Sequence, residues 1–297
     1  MTPPDIARLL VLAAFWGASF IFIRIAAPTL GPALTVESRV VIASVLLAVY
    51  AAIFRTPLQM RERWKQYLVM AALNSVVPFT LVAYAELHIT ASMAVILNAS
   101  TPIFVSLIAA VWLGDRLTAQ KAAGMAISMT GIVTLVGWSP VPLTHDILVA
   151  VACCLVGAFC YGIGAVYTKA HMKDAPALGM AVGSLAGASM FGLIPAIAMP
   201  IPGPITQTVL VSITLLAVMS TAAAYVLFYK LVVSVGPAKA TTVTFLTPIF
   251  GVVWGLLFLH ESITASQLAS CAIVLAGTGL VTLSRTAQEP DVFPAAD

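Results

Sequence analysis

Ten apolar runs follow one another through this chain with short connections between them, at 6–27, 34–54, 67–87, 91–113, 117–137, 146–168, 178–199, 208–229, 238–259 and 264–284. A helix needs roughly 20 apolar residues to cross about 30 Å of hydrocarbon, so each run is long enough to be a span. Composition leaves no other solvent for them. Of 297 residues, 61% are hydrophobic and 8% charged, against roughly 25% charged in soluble domains. A mean hydropathy of +1.06 exceeds what one globular core can hide, because even large soluble domains leave much of their surface in water. No stretch is left over for a soluble domain. The first run, IARLLVLAAFWGASF onward, has neither a charged start nor a small-residue cleavage site, and it is read as a retained helix. Residues 286–297, TAQEPDVFPAAD, are polar and Pro-containing and are read as a disordered cytoplasmic tail.

Basic residues set the orientation, because Lys and Arg accumulate in cytoplasmic loops. With the N-terminus inside, Arg8, Arg55, Arg61, Arg63, Lys65, Arg116, Lys121, Lys169, Lys173, Lys230, Lys239 and Arg285 all fall on the cytoplasmic side. Arg24 and Arg39 fall on the other. Ten spans with both termini cytoplasmic satisfy this sorting. The net charge of +3 reflects it, and no basic tract points to nucleic acid. Cys153, Cys154, Cys160 and Cys271 all lie inside spans without metal spacing and read as packing residues.

The chain also repeats itself. At an offset of 146 residues, ASTPIF from Ala99 aligns with FLTPIF from Phe245, and WLGDRLTAQ from Trp112 with FLHESITAS from Phe258. Asp115 then falls on Glu261, Thr118 on Thr264 and Gly131 on Gly277. At an offset of 145, Trp16 falls on Tyr161 and Arg24 on Lys169. Each copy holds five spans. Five is odd, so the second copy enters the membrane from the opposite side. The expected fold is therefore all-α and integral to the membrane: ten transmembrane helices as two inverted five-helix repeats, residues 1–140 and 141–285. Secondary transporters are built this way, with sites near the midplane between the halves.

FWGASF followed by Arg39, LNASTPIFVSLIAAVWLGDRLTAQKAAGMAISMTGI, and VGPAKATTVTFLTPIFGVVWGLLFLHESIT resemble the drug/metabolite transporter superfamily. Within it they are similar to the EamA-type branch of ten-helix exporters, and the feel is that of YddG-like amino-acid exporters. The resemblance covers about residues 6–285. It implies export of amino acids, metabolites or drugs from the bacterial cytoplasm through the inner membrane, by a multi-pass protein without a cofactor.

Prolines interrupt three spans at mid-depth: Pro78, Pro102 and Pro248. Each lacks an N–H and so frees the carbonyl four residues earlier, on Asn74, Asn98 and Thr244. In hydrocarbon such a carbonyl needs a partner. Thr101 shares a helix face with Asn98, and Thr247 with Thr244, so these faces suit a polar cavity with a hinge in its wall. The structural alternative is a locally satisfied kink. Trp16 and Tyr161 occupy matched places well inside spans one and six, and Ser19 and Phe20 share the face of Trp16. An indole or phenol there would stack on a substrate, and ordinary packing is the competing reading. Tyr84, Tyr225 and Tyr229 read as interface-belt residues. Arg39 and Glu86 are expected to pair toward the outer face. Gly179, Gly183 and Gly187, at intervals of four, read as internal helix packing, with a dimer interface as the alternative; a monomer is expected.

The expected partners are a small-molecule substrate and membrane lipid. The expected substrate is a neutral or aromatic amino acid or a related metabolite. The kink carbonyls would take its ammonium, and Asn74, Asn98 and the threonines its carboxylate. Span one carries no acid, so a facilitator or exchanger is expected rather than proton coupling through the centre. A multidrug or cationic-compound exporter is the alternative. An intramembrane enzyme is disfavoured: the chain has no His-Glu-x-x-His, no Gly-x-Ser-x-Gly and no paired intramembrane aspartates.

Overall fold

The computed structural model describes residues 1–138 and 144–283, and every element among them is helical. We number the helices α1 (Pro3–Ile53), α2 (Met60–Ala85), α3 (Ala91–Asn98), α4 (Thr101–Trp112), α5 (Ala119–Gly137), α6 (His145–His171), α7 (Ala177–Ala198), α8 (Gln207–Val235), α9 (Val243–Leu259) and α10 (Ala265–Leu283). A single turn, Pro237–Ala240, precedes α9. Among the described residues, eight helical stretches are long and apolar enough to cross a membrane, α3 and α4 together forming one of them. The 17-residue α9 is a further, shorter apolar helix. The expected tail, 286–297, Arg285 and the junction at 140/141 lie outside the described residues.

The 51 residues of α1 are not one rod. Gly31 has φ 77° and ψ 156°, and it stands before Pro32. Proline pushes its predecessor out of the helical region, and only glycine takes positive φ without strain. The bend falls in the gap between the apolar runs 6–27 and 34–54. Elsewhere the helix starts are marked by threonine. Thr90, Thr118, Thr144 and Thr206 each accept a hydrogen bond from the backbone N–H three residues on, at 3.2–3.4 Å. A side-chain oxygen there satisfies one of the orphan donors of the first turn.

Packing relies on small residues. In α7, a Cβ on Gly179 would meet the Tyr67 hydroxyl at 2.7 Å, and one on Gly187 would meet Ala71 Cβ at 2.9 Å. The Gly179/Gly183/Gly187 stripe therefore faces α2 inside the protein. An extensive helix pairing joins α5 to α10. A Cβ on Gly277 would lie 2.5 Å from the Gly124 carbonyl oxygen and from Ser128 N. At this crossing the Ser128 hydroxyl donates to the Val274 carbonyl at 3.2 Å, a partner 146 residues further along. Without a hydrophobic drive between helices in lipid, such close approach is what holds them together.

Gly277 and Gly279 make a matched test of this crossing, because a Cβ on Gly279 meets nothing within 4 Å. Forcing a side chain into a packed contact costs about 1–3 kcal/mol. Gly277→Val is expected to lower the melting temperature of the detergent-solubilised protein by several degrees, while Gly279→Val leaves it nearly unchanged. Equal shifts would show that the crossing is not a tight contact.

Candidate functional site

Besides the bend at Gly31, the helical ladder of the described residues is interrupted at four places. In α2 the backbone widens into a π turn at Ala72–Val76, just before Pro78. In α8 it does so at Val218–Ala223. The two turns begin 146 residues apart. In each, the next N–H reaches back five residues, Val77 to Ala72 and Ala224 to Met219. Helices α3 and α4 are separated by a turn at 99–100, and α9 is preceded by one at 241–242. π turns are rare and concentrate at functional sites.

The breaks satisfy much of their own backbone. Thr101 Oγ1 donates to the Asn98 carbonyl at 2.8 Å, which is the carbonyl that Pro102 deprives of its donor. Thr244 Oγ1 donates to Thr241 O at 2.9 Å, and Thr247 Oγ1 to Val243 O at 3.0 Å. Thr221 Oγ1 donates to Leu216 O, five residues back, at 2.8 Å. The threonines thus anchor the breaks while their hydroxyl oxygens keep acceptor capacity.

A cavity of about 370 Å³ opens between these breaks, within the size range of small-ligand pockets, roughly 300–1,000 Å³. Trp16, Ser19, Phe20, Asn74, Asn98, Thr101, Tyr161, Thr244 and Thr247 all border it, as do Pro102 and Pro248. The structure therefore brings together all nine residues expected to meet a substrate. The third proline does not join them: Pro78 packs against Gly157 of α6. The two Thr-Pro sites also differ. Pro102 lies just past a real interruption, in the first turn of α4, whereas Pro248 sits inside continuous helix. In the second copy the interruption comes earlier, at 241–242.

Arg39 departs most from expectation. Arg39 and Glu86 form no ion pair; among the described residues the ion pairs are Arg8–Asp5, His145–Asp146 and Lys169–Asp115. Instead Arg39 Nε donates to Thr221 Oγ1 at 2.8 Å, and the guanidinium carbon lies 3.8 Å from the centroid of the Phe79 ring. The widened turn of α8 presents the Thr221 oxygen at this depth. Arg39 is 7% exposed and borders the cavity. Glu86 is fully buried and off the cavity, and its carboxyl oxygens have no hydrogen-bond partner. Its backbone carbonyl accepts from Arg24 Nη1.

Residues not singled out from the sequence complete the wall. Tyr225, read as a belt residue, borders the cavity, and so do Phe79 and Phe228. The Phe228 ring lies 5.5 Å from that of Trp16. Tyr225 and Phe79 are 146 residues apart, so the repeat offset applied to α2 and α8 contains the signal for both.

The two ends of the bundle are held differently. At one end Glu261, in the turn after α9, grips the start of α3. Its carboxylate accepts from Ala91 N at 2.8 Å, from Ser92 N at 3.1 Å and from the Ser92 hydroxyl. Glu261 also lines a recess with Arg24, Leu87 and Thr90. At the other end Asp115, the repeat counterpart of Glu261, is bound to Lys169 at 3.1 Å. The cavity wall reaches toward that end at Thr168 and Thr241.

The architecture defines a multi-pass helical membrane protein with a polar and aromatic cavity between discontinuous helices. The EamA-like transporter family matches residues 6–137 and 148–283, and the chain belongs to that family. "Uncharacterized transporter YvbV" of Bacillus subtilis is 25% identical over 285 residues, covering 95% of this chain and 92% of the relative. The "Probable terminal-alkyne amino-acid exporter" of Streptantibioticus cattleyicolor is 27% identical over 283 residues, covering 92% and 91%. A solved crystal structure superposes with a TM-score of 0.68 at 13% identity, over 93% of this chain and 96% of that one, a likeness of fold.

Glu261 offers a direct test of the clasp. A charge-assisted hydrogen bond is worth about 1.5–3 kcal/mol, and an amide in its place keeps one weak acceptor. Glu261→Gln is expected to loosen the contact between the segment after α9 and the start of α3. In a background without native cysteines, a cysteine placed at Leu87 should react several-fold faster with a membrane-impermeant maleimide when the glutamine is present. An unchanged rate would show that the carboxylate closes nothing.

Proposed function

We propose that this transporter exports neutral or aromatic amino acids, or related small metabolites, from the cytoplasm across a bacterial inner membrane by alternating access. The single observation that carries the reading is the shared cavity. Thr-Pro segments from both halves of the chain meet there, each beside an interruption of its helix, with polar and aromatic side chains around them. Discontinuous helices at mid-depth are how secondary transporters expose backbone and side-chain groups to a solute.

The membrane arrangement goes with it. The bend at Gly31 divides α1 into two crossings, α3 and α4 form one crossing between them, and α9 adds a further one. This makes ten, in two inverted repeats of five, with both termini cytoplasmic. The contact of Ser128 with its own counterpart at Val274 supports a two-fold axis between the copies. The family's match in two stretches, 6–137 and 148–283, supports the duplication. In this orientation the Glu261 clasp closes the outer mouth, and the cavity faces the cytoplasm through Thr168 and Thr241. No acidic side chain borders the cavity among the described residues, which supports a facilitator or exchanger.

The topology is tested with reporter fusions. Alkaline phosphatase joined after residue 203 should be active, and joined after residue 283 inactive. The reverse pattern, or activity at both, sinks the orientation. Transport is tested by counterflow of labelled amino acids in proteoliposomes of the purified protein. Exchange is expected for apolar or aromatic amino acids, with no proton current under an imposed pH gradient. If none of twenty competes while cationic dyes do, the protein is a drug exporter; a stoichiometric proton current contradicts the facilitator reading.

A further inference from the structure

We infer that Arg39 is the carboxylate-binding group of the cavity, so that the solutes carried are small carboxylates, amino-acid zwitterions among them, and not bare organic cations. The inference rests on the export reading above and narrows its substrate class.

Arg39 is the one charged side chain among the described residues that border the cavity. A buried intramembrane charge is costly and is normally paired, yet no carboxylate of the described residues forms an ion pair with it. Its one hydrogen-bonded donor is Nε, engaged by Thr221. The fork of the guanidinium is left for the cavity. Phe79 supports one face of its plane at 3.8 Å. Clamped on one edge and on one face, the guanidinium is pre-organised to receive a planar, two-oxygen anion by parallel N–H···O bonds. A single arginine matches one carboxylate; a phosphate ester would call for further cations in the wall.

The complementary end of a zwitterion has its own partner. Asn98 borders the same cavity, and its buried side-chain oxygen Oδ1 has no hydrogen-bond partner. An ammonium supplies the donors it lacks. A bare cation would meet the same oxygen, but it would also face Arg39 with no acid in the wall to offset the repulsion. Trp16 and Phe228 form an apolar surface for the remainder of the solute.

Counterflow of labelled phenylalanine in proteoliposomes of the full chain tests this. Unlabelled 3-phenylpropionate, which keeps the carboxylate, should compete. Phenethylamine, which lacks it, should compete at least about 100-fold less well, because a site built to hydrogen-bond a group rejects analogues without it. Arg39→Gln should abolish phenylalanine exchange and Arg39→Lys should retain part of it. Thr221→Val, which keeps the charge but frees Nε and so unclamps the guanidinium, should raise the KM several-fold with little change in maximal rate. It also answers the question if Arg39→Gln fails to reconstitute. Competition by phenethylamine as strong as that by 3-phenylpropionate, or unchanged exchange in Arg39→Gln or Thr221→Val, overturns the inference. If cationic dyes exchange and no carboxylate does, the inference falls while export stands. If no amino acid, amine or dye exchanges, both fall.

Discussion

Inside hydrocarbon a backbone group that leaves its helix has no water to turn to. The rest of this structure follows from how the chain meets that demand at its interruptions. Threonine hydroxyls close the carbonyls at Asn98, Thr241, Val243 and Leu216, and two π turns take up the slack in α2 and α8. Each device lets the chain deviate without stranding a carbonyl. Each also places an oxygen with acceptor capacity at mid-depth. The cavity is where those deviations come together, so stability and function draw on the same side chains.

The two copies are alike in sequence but not in posture. Glu261 bonds to the first turn of α3, while its counterpart Asp115 holds Lys169. The helix breaks at 99–100 in one copy and at 241–242 in the other. A chain built from two similar copies has two nearly equivalent ways to arrange this difference, one the exchange of the other. This asymmetry supports the alternating access proposed above, in which the clasp at one end would be traded for one at the opposite end.

Much of this was legible in the sequence, for local reasons. Hydropathy marks a span by itself, and the helix ends fall within a few residues of the apolar runs except where α2 starts earlier and α8 ends later. Proline and its threonine announce a break, and the 146-residue offset pairs the breaks. Of the nine side chains on the cavity, Asn74, Asn98, Thr101, Thr244 and Thr247 follow from helical spacing around those points, and Trp16, Ser19, Phe20 and Tyr161 from the matched aromatics of spans one and six. What stayed hidden depends on register between helices. Arg39 looked like the partner of Glu86 because the expected topology puts both toward the outer face, yet the widened turn of α8 offers it Thr221 instead. π turns leave no local signature in ALNSV or VMSTAA. Tyr225 looked like a belt residue because its distance from a helix end was judged from a span cut short at residue 229, whereas α8 runs to Val235. Pro78 has the same chemistry as Pro102 but turns toward Gly157.

We propose that the Thr-Pro segments of both copies face one water-filled chamber open to each side of the membrane in turn. A cysteine at Thr247 in a background without native cysteines tests it most directly, labelled with a membrane-impermeant maleimide in vesicles of each orientation. Labelling is expected from the cytoplasmic face at rest and from the outer face once a transported amino acid is added. A transport-active protein whose Cys at this position reacts from neither face would contradict the account.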